Sequence, residues 1–192
     1  MTEQSSLEVQ VEGMEAEVAL SWCQAELGSV DLGDKRLDRR LVKVAADMAA
    51  QPQAPLNQAS EDAAATKAGY RAFQNDKASC TKILQPHQRR TQERMARESL
   101  VLAIQDSTYF NYSHHPKTQG LGPIGTSKQD LLGLVMHATM VVTADGLPLG
   151  MLSANIWARD PEAAPRSREE RRQQPIEEKE SYKWLTALEE TV

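Results

Sequence analysis

The sequence predicts an α+β chain: a bundle of helices, a three-stranded antiparallel sheet, and a helix after it. Two observations carry this. Apolar residues recur at helical spacing behind capping residues from about residue 20 to residue 98. From Leu100 onward the period changes to two, and Ala144-Asp145-Gly146 marks a hairpin between the alternating stretches Gly133–Val142 and Leu147–Trp157.

Bulk properties set the frame. A chain of 192 residues holds one domain, or a small one and part of another. Its composition, 40% hydrophobic and 26% charged, is that of a soluble protein. No apolar run approaches a membrane span, and the N-terminus lacks a signal-peptide pattern. Cys23 and Cys80 form no metal-type pair and fit a reducing compartment, so a cytoplasmic protein is expected. The net charge of −5 is unevenly spread. Residues 1–30 hold six glutamates and no Lys or Arg, which leaves +1 for residues 31–192. Overall charge therefore does not exclude a nucleic-acid partner, and local clusters decide.

Residues 1–18 are acidic and without a period, and read as a disordered or loosely helical lead. A short helix is expected around Trp22, ending near Gly28. Asp34 is the N-cap of the next helix, whose apolar face is Leu37, Leu41, Val44, Ala45 and Met48. Its other side carries Lys35, Arg36, Arg39, Arg40 and Lys43. Arg36, Arg40 and Lys43 form one stripe that suits a phosphate backbone; the alternative is a solvated face. Pro52 and Pro55 end this helix. Ser60, Glu61 and Asp62 open the next, in which the alanines allow close packing and Tyr70 and Phe73 supply bulk. Ser79 caps a turn up to Leu84, and Pro86 restarts a helix through about Glu98. Arg89, Arg90, Arg94 and Arg97 make this helix a second basic surface.

The first strand is Leu100–Gln105, running into Asp106. A carboxylate at the end of an apolar strand needs a cation or water, and a sheet presents a metal ligand in this way. The alternative is a turn cap. Residues 113–128 are a Gly/Pro-rich loop, and GLGPIG lacks the spacing and βα context of a phosphate loop. The adjacent His114 and His115 do not make a two-histidine metal site. In the next strand Leu134, Met136, Ala138, Met140 and Val142 share one face, and Val135, His137, Thr139 and Val141 the other. His137 reads as a packed strand histidine. Residues 159–175 read as a flexible Arg-rich loop (Arg159, Arg166, Arg168, Arg171, Arg172), and Ile176–Leu188 as a helix with Trp184, Leu185 and Leu188 on its packing edge.

The order of these pieces resembles the IS4-type, Tn5-like transposases. The matching stretches are LGDKRLDRRLVKVAA (32–46), KAGYRAFQN (67–75), LAIQDSTYFNY (102–112), GLGPIG (120–125), HATMVVTADGLPLGML (137–152), WARDP (157–161) and IEEKESYKWL (176–185). They span roughly residues 20–190 in family order. The resemblance implies a helical domain that binds the terminal inverted repeats of a transposon as double-stranded DNA, followed by an RNase H-like catalytic domain. That domain cleaves and joins DNA with Mg²⁺ held by an Asp-Asp-Glu triad. It implies three regions: an acidic lead (1–19), a helical DNA-binding domain (20–98) and a partial catalytic domain (99–192).

Residue by residue, Asp106 matches the first Asp of the triad, as a catalytic residue and metal ligand, and Arg36 and Arg40 match basic positions on the DNA-contacting helix. Leu37 stands where the Tn5 enzyme has an Arg. Segments for the second Asp, the Glu and the C-terminal dimerisation region are not found. One Asp does not hold two Mg²⁺ ions, because each keeps most of its waters unless several ligands converge. A transposase fragment that binds DNA and is inactive alone is therefore expected, with Mg²⁺ not stably bound. An interaction protein that inhibits full-length transposase is a second reading. A nuclease with an unrelated site at Asp106, His114 or His137 is the third.

Overall fold

The computed structural model describes residues 13–125, 131–162 and 168–190. Most of the acidic lead, the end of the Gly/Pro-rich loop and Arg166 lie outside the described residues. The chain is α+β, as its periodicities predict. Helices α1 (Ala16–Leu27), α2 (Lys35–Ala50), α3 (Leu56–Ala59), α4 (Ala63–Phe73) and α5 (Cys80–Met95) come first. The strands β1 (Val101–Asn111), β2 (Gly122–Pro123), β3 (Leu132–Thr143) and β4 (Pro148–Trp157) follow, then α6 (Arg168–Gln173) and α7 (Lys183–Glu189). The chain divides into two compact units between His87 and Gln88, inside α5.

In the helical unit α2 is the central element. Asp34 has extended backbone and accepts hydrogen bonds from the Arg36 and Leu37 N–H groups, at 2.8 and 3.4 Å, so it starts α2 as a cap should. One flank of α2 buries Leu37 and Leu41 against Val30, Leu32 and Ala72. The other buries Val42 and Ala46 against Cys23. The single apolar face expected from the sequence is thus two faces, and Met48, expected inside, is 43% exposed. Gly69 lets α4 approach closely: a Cβ there would stand 3.3 Å from Leu56 and 3.4 Å from Val44.

Helix α5 corrects a second expectation, because Pro86 lies inside one continuous helix. Proline costs a helical hydrogen bond. Anchors on both sides hold the helix through it: Ile83 packs on the Val30–Leu32–Leu37 cluster, and His87 Nδ1 lies 2.7 Å from the buried Glu26 carboxylate.

In the second unit β3 is the middle strand. It pairs antiparallel with β1 on one side and with β2 and β4 on the other. The β3–β4 turn has Gly146 at φ +86°, the left-handed conformation that suits glycine, with Gly146 N–H donating to Thr143 O at 3.0 Å. β1 extends to Asn111, well past its expected end, because each residue finds a partner on β3. The last stretch is not one helix. Two 3₁₀ turns, Ile176–Glu178 and Glu180–Tyr182, precede α7, since Lys179 is extended between them. Within the stretch expected to be a flexible loop, Arg168–Gln173 is helical.

Candidate nucleic-acid interface

Burial of α2 on two flanks leaves one ridge in solvent, and that ridge carries Arg36, Arg40 and Lys43. The three are not equivalent. The Arg36 and Arg40 guanidinium groups make no ion pair among the described residues, whereas Lys43 Nζ lies 2.7 Å from Asp47 and 3.8 Å from Glu61. The Asp47 contact pushes the Lys43 pKa up, with Glu61 adding to it against partial burial. The other two cations of α2 are exposed but have partners on their own helix: Lys35 pairs with Asp38 at 3.2 Å, and Arg39 Nε donates to Lys35 O at 3.1 Å. Two guanidiniums without an ion pair among the described residues thus stand one helical turn apart on a helix packed along both flanks, an arrangement able to donate to anionic oxygens.

A second ridge was missed in the sequence. On α4, Lys67, Tyr70, Arg71 and Gln74 are exposed at i, i+3, i+4 and i+7, so they line one side of the helix. They border a shallow concavity with Asn57, Ser60 and Thr66, which the carboxylates of Glu61 and Asp62 also line. Tyr70 and Phe73, expected to supply packing bulk, are 51% and 49% exposed. The signal was present in the spacing: buried Gly69 and Ala72 alternate with these polar positions, and small residues take the packing role the aromatics were given.

Two of the four arginines of the expected second basic surface are partnered. Arg94 Nε donates to Leu149 O at 2.6 Å, and Arg90 pairs with Glu93 at 2.7 Å. Arg89 and Arg97 remain exposed.

Asp106 lies on β1, solvent-exposed, opposite Ala138, which in turn opposes Ala154 on β4. Leu102 and Ile104 share its face. Among the described residues, no group of three His, Cys, Asp or Glu side chains is placed to hold a metal ion. Mg²⁺ needs several converging oxygen ligands, and the single Asp106 carboxylate does not fit it. His114 and His115 are exposed in the loop after β1. His137 is fully buried: its Nδ1 is 2.9 Å from Ser107 Oγ and its Nε2 is 3.2 Å from Gln105 Oε1. Burial, with Lys183 nearby, lowers its pKa against the opposing pull of Asp106, so it is a neutral packed side chain.

Residues 19–78 match the transposase DNA-binding family, a segment running from within α1 through α4. The matched segment contains both the α2 ridge and the α4 ridge. Among the described residues, no helix is long and apolar enough to cross a membrane.

Proposed function

We propose that this chain is part of an IS4-type, Tn5-like transposase, and that its helical unit binds the double-stranded inverted repeats at transposon ends. The observation that carries this reading is the α2 ridge, two uncompensated guanidiniums on an immobilised helix inside the segment that matches the transposase DNA-binding family. Arg36 and Arg40 each neutralise one backbone phosphate. Lys43 joins them after parting from Asp47. Each phosphate contact releases condensed counterions, so affinity falls as salt rises. The α4 ridge supplies hydrogen-bonding groups, and Tyr70 a ring, for a second contact with the same duplex.

The sheet supports an RNase H-like reading, with an acid on the first of three antiparallel strands. In that reading Asp106 is one ligand of a site whose other carboxylates lie outside these residues. The chain alone then binds DNA without cutting it, and works in the cytoplasm on the nucleoid.

Fluorescence anisotropy with a labelled inverted-repeat duplex and a scrambled duplex tests the reading. Binding to the repeat should be tighter, with an affinity that falls steeply between 50 and 200 mM salt by about the factor expected for a few phosphate contacts. Equal affinity for both duplexes removes end specificity. An affinity independent of salt removes the phosphate-based interface.

A second reading, that the chain inhibits full-length transposase by binding it, is favoured by one feature. Leu102, Ile104, Met140 and Ile156 leave one face of the sheet apolar and open, at 40–47% exposure.

A further inference from the structure

Helix α1 runs back along α2, with Met14 N–H donating to Ala49 O where one begins beside the end of the other. The two helices meet through Cys23, Val42 and Ala46. Beside that contact a groove of about 360 Å³ lies between them. Its α1 bank is Leu20 and Gln24 with the cap residue Gly28, spaced every four residues and so on one line along the helix. Gly28 has no side chain to fill its end of the groove. Lys35, Arg39 and Lys43 have the same spacing and form the α2 bank. Val30, Asp38 and Val42 complete the lining. Banks and floor therefore belong to one folded segment, residues 20–43, inside the stretch that matches the transposase DNA-binding family.

The groove is cationic along one bank and apolar along its floor. Its three cations face one lining carboxylate, Asp38, which already accepts from the Leu32 N–H and pairs with Lys35. An ammonium has three N–H donors, and Lys35 gives one of them to Asp38. Arg39 Nε donates to Lys35 O, which lays the side chain along α2. The terminal nitrogens of Arg39 make no hydrogen bond or ion pair among the described residues. A guanidinium fork beside an aliphatic floor suits a ligand with an anion at one end and an apolar body at the other. Arg36 and Arg40 are each one residue further on, about 100° around the helix, and do not line the groove.

We infer that the groove between α1 and α2 binds a phosphate ester of about mononucleotide size. The phosphate sits between the Arg39 terminal nitrogens and the Lys35 ammonium, and the base lies on Leu20, Val30 and Val42. The Gln24 side-chain amide, which makes no hydrogen bond among the described residues, meets the polar edge of the base. The volume is at the lower end of the range for small-ligand sites, roughly 300–1,000 Å³, so one nucleotide fits and a longer ligand projects out. Two sources carry this chemistry: a free nucleotide, and an unpaired nucleotide at the end of a duplex held on the neighbouring Arg36–Arg40 ridge. Only the second rests on the DNA-binding reading.

Isothermal titration of the full chain with dAMP, deoxyadenosine and inorganic phosphate tests the inference. dAMP should bind at least about tenfold more tightly than either of the others, because each lacks half of the match. Arg39→Ala should weaken dAMP binding by about tenfold or more, through loss of the charge-assisted contact. Arg36→Ala should change it by less than about twofold at physiological salt, where screening is strong. Gln24→Trp, at an exposed position, should fill the groove and abolish binding, with circular dichroism to confirm intact helices. In the parent chain, amide NMR shifts caused by dAMP should centre on residues 20–43. dAMP binding no tighter than phosphate, equal losses in Arg36→Ala and Arg39→Ala, or shifts centred elsewhere each overturn the proposal. Anisotropy with a blunt duplex and one carrying a single-nucleotide overhang assigns the source. A preference for the overhang that Arg39→Ala removes names the duplex end, and equal affinity names the free nucleotide. No affinity for the blunt duplex with dAMP binding intact removes the DNA-binding reading and leaves the groove.

Discussion

Arg159 grips Glu180 with two parallel hydrogen bonds, Nε to Oε2 and Nη2 to Oε1, each 2.8 Å long. The same guanidinium lies over the Tyr109 ring at 5.3 Å and donates to Pro123 O at 3.3 Å. One side chain thus ties β1, β2 and the 3₁₀ turn before α7. The Arg159 hydrogen bonds hold the Glu180 carboxyl below its ordinary range, helped by Lys183 and opposed by burial. Because the folded pKa is depressed, the pair stabilises the fold above the unfolded carboxylate value of about 4.3, and this stability is lost as pH falls through the folded value. Glu180 is 41% exposed, so screening limits the effect, and Glu180→Gln should cost about 1 kcal/mol or less at pH 7. Chemical denaturation at pH 7 and pH 3 checks this: the variant should differ from the parent at pH 7 and converge with it at pH 3.

His137 makes a pH dependence of the same sign, set against a higher unfolded value. With Gln105 Oε1 as acceptor, Nε2 carries the proton and Nδ1 accepts from the Ser107 hydroxyl. Its pKa is lowered in the fold, so between that value and the unfolded value of about 6.5 the unfolded chain binds more protons. Stability therefore declines as pH drops from about 6.5 toward the folded value, then levels off. His137→Leu should remove that slope. It should also cost about 1–3 kcal/mol by leaving Ser107 and Gln105 without their partner in a buried site. Denaturation midpoints at pH 5 and pH 7.5 measure both effects, and Trp184 fluorescence reports on the ring contact at 4.5 Å.

The α2 ridge gives a graded prediction for DNA. Arg36→Ala with Arg40→Ala should weaken binding to every duplex and lower the slope of log affinity against log salt by about 2. Lys43→Ala should change the slope by clearly less than about 1, because its ammonium group already has Asp47 at 2.7 Å and must leave it to meet a phosphate. Asp47→Ala should free Lys43 and strengthen binding. Anisotropy titrations at three salt concentrations separate the three variants. Equal effects of Lys43→Ala and Arg40→Ala would remove the distinction between paired and unpaired cations.

What the sequence conveys here depends on how local the signal is. The Asp34 cap, the Ala144-Asp145-Gly146 turn and the alternation of β3 are decided within a few residues, and the structure has all three. Which face of β3 is covered was legible only as two candidate faces. The covered one contains His137, read as a packed strand histidine, and Thr139, whose partners on β1 and β4 lie far away in the sequence. A long-range partner also removes one cation from the expected basic surface. Arg94 looks like a solvent-facing cation, and only the β4 carbonyl 55 positions away gives it another role. Pro86 signals a helix break that Ile83 and His87 override through contacts absent from the local sequence. Asp106 was legible as an acid at the end of an apolar strand; the structure has it exposed in the middle of β1, and among the described residues no cluster of acids, His or Cys is placed with it to hold a metal.

Asp38 lies on α2 beside the ridge proposed to bind DNA, and it bears on the stability of the helical unit. It is 6% exposed on the flank of α2, and its Oδ1 accepts from the Leu32 N–H at 2.8 Å while Oδ2 meets Lys35 at 3.2 Å. Leu32 lies at 1% exposure in the cluster with Val30, Leu37 and Leu41, so its N–H has no solvent to turn to if the carboxylate is removed. Asp38→Ala should therefore destabilise the unit by about 1–3 kcal/mol, as expected for a buried donor left unpaired. Asp38→Asn keeps an acceptor for that N–H and should cost less, while still losing the Lys35 pair. DNA binding separates stability from contact. Asp38 lies off the exposed ridge, so Asp38→Asn should bind with the parent's salt slope. Asp38→Ala should lose affinity only at temperatures where circular dichroism shows the helices melting. A changed salt slope in well-folded Asp38→Asn would mean that the flank of α2, and not its ridge alone, faces the phosphate backbone.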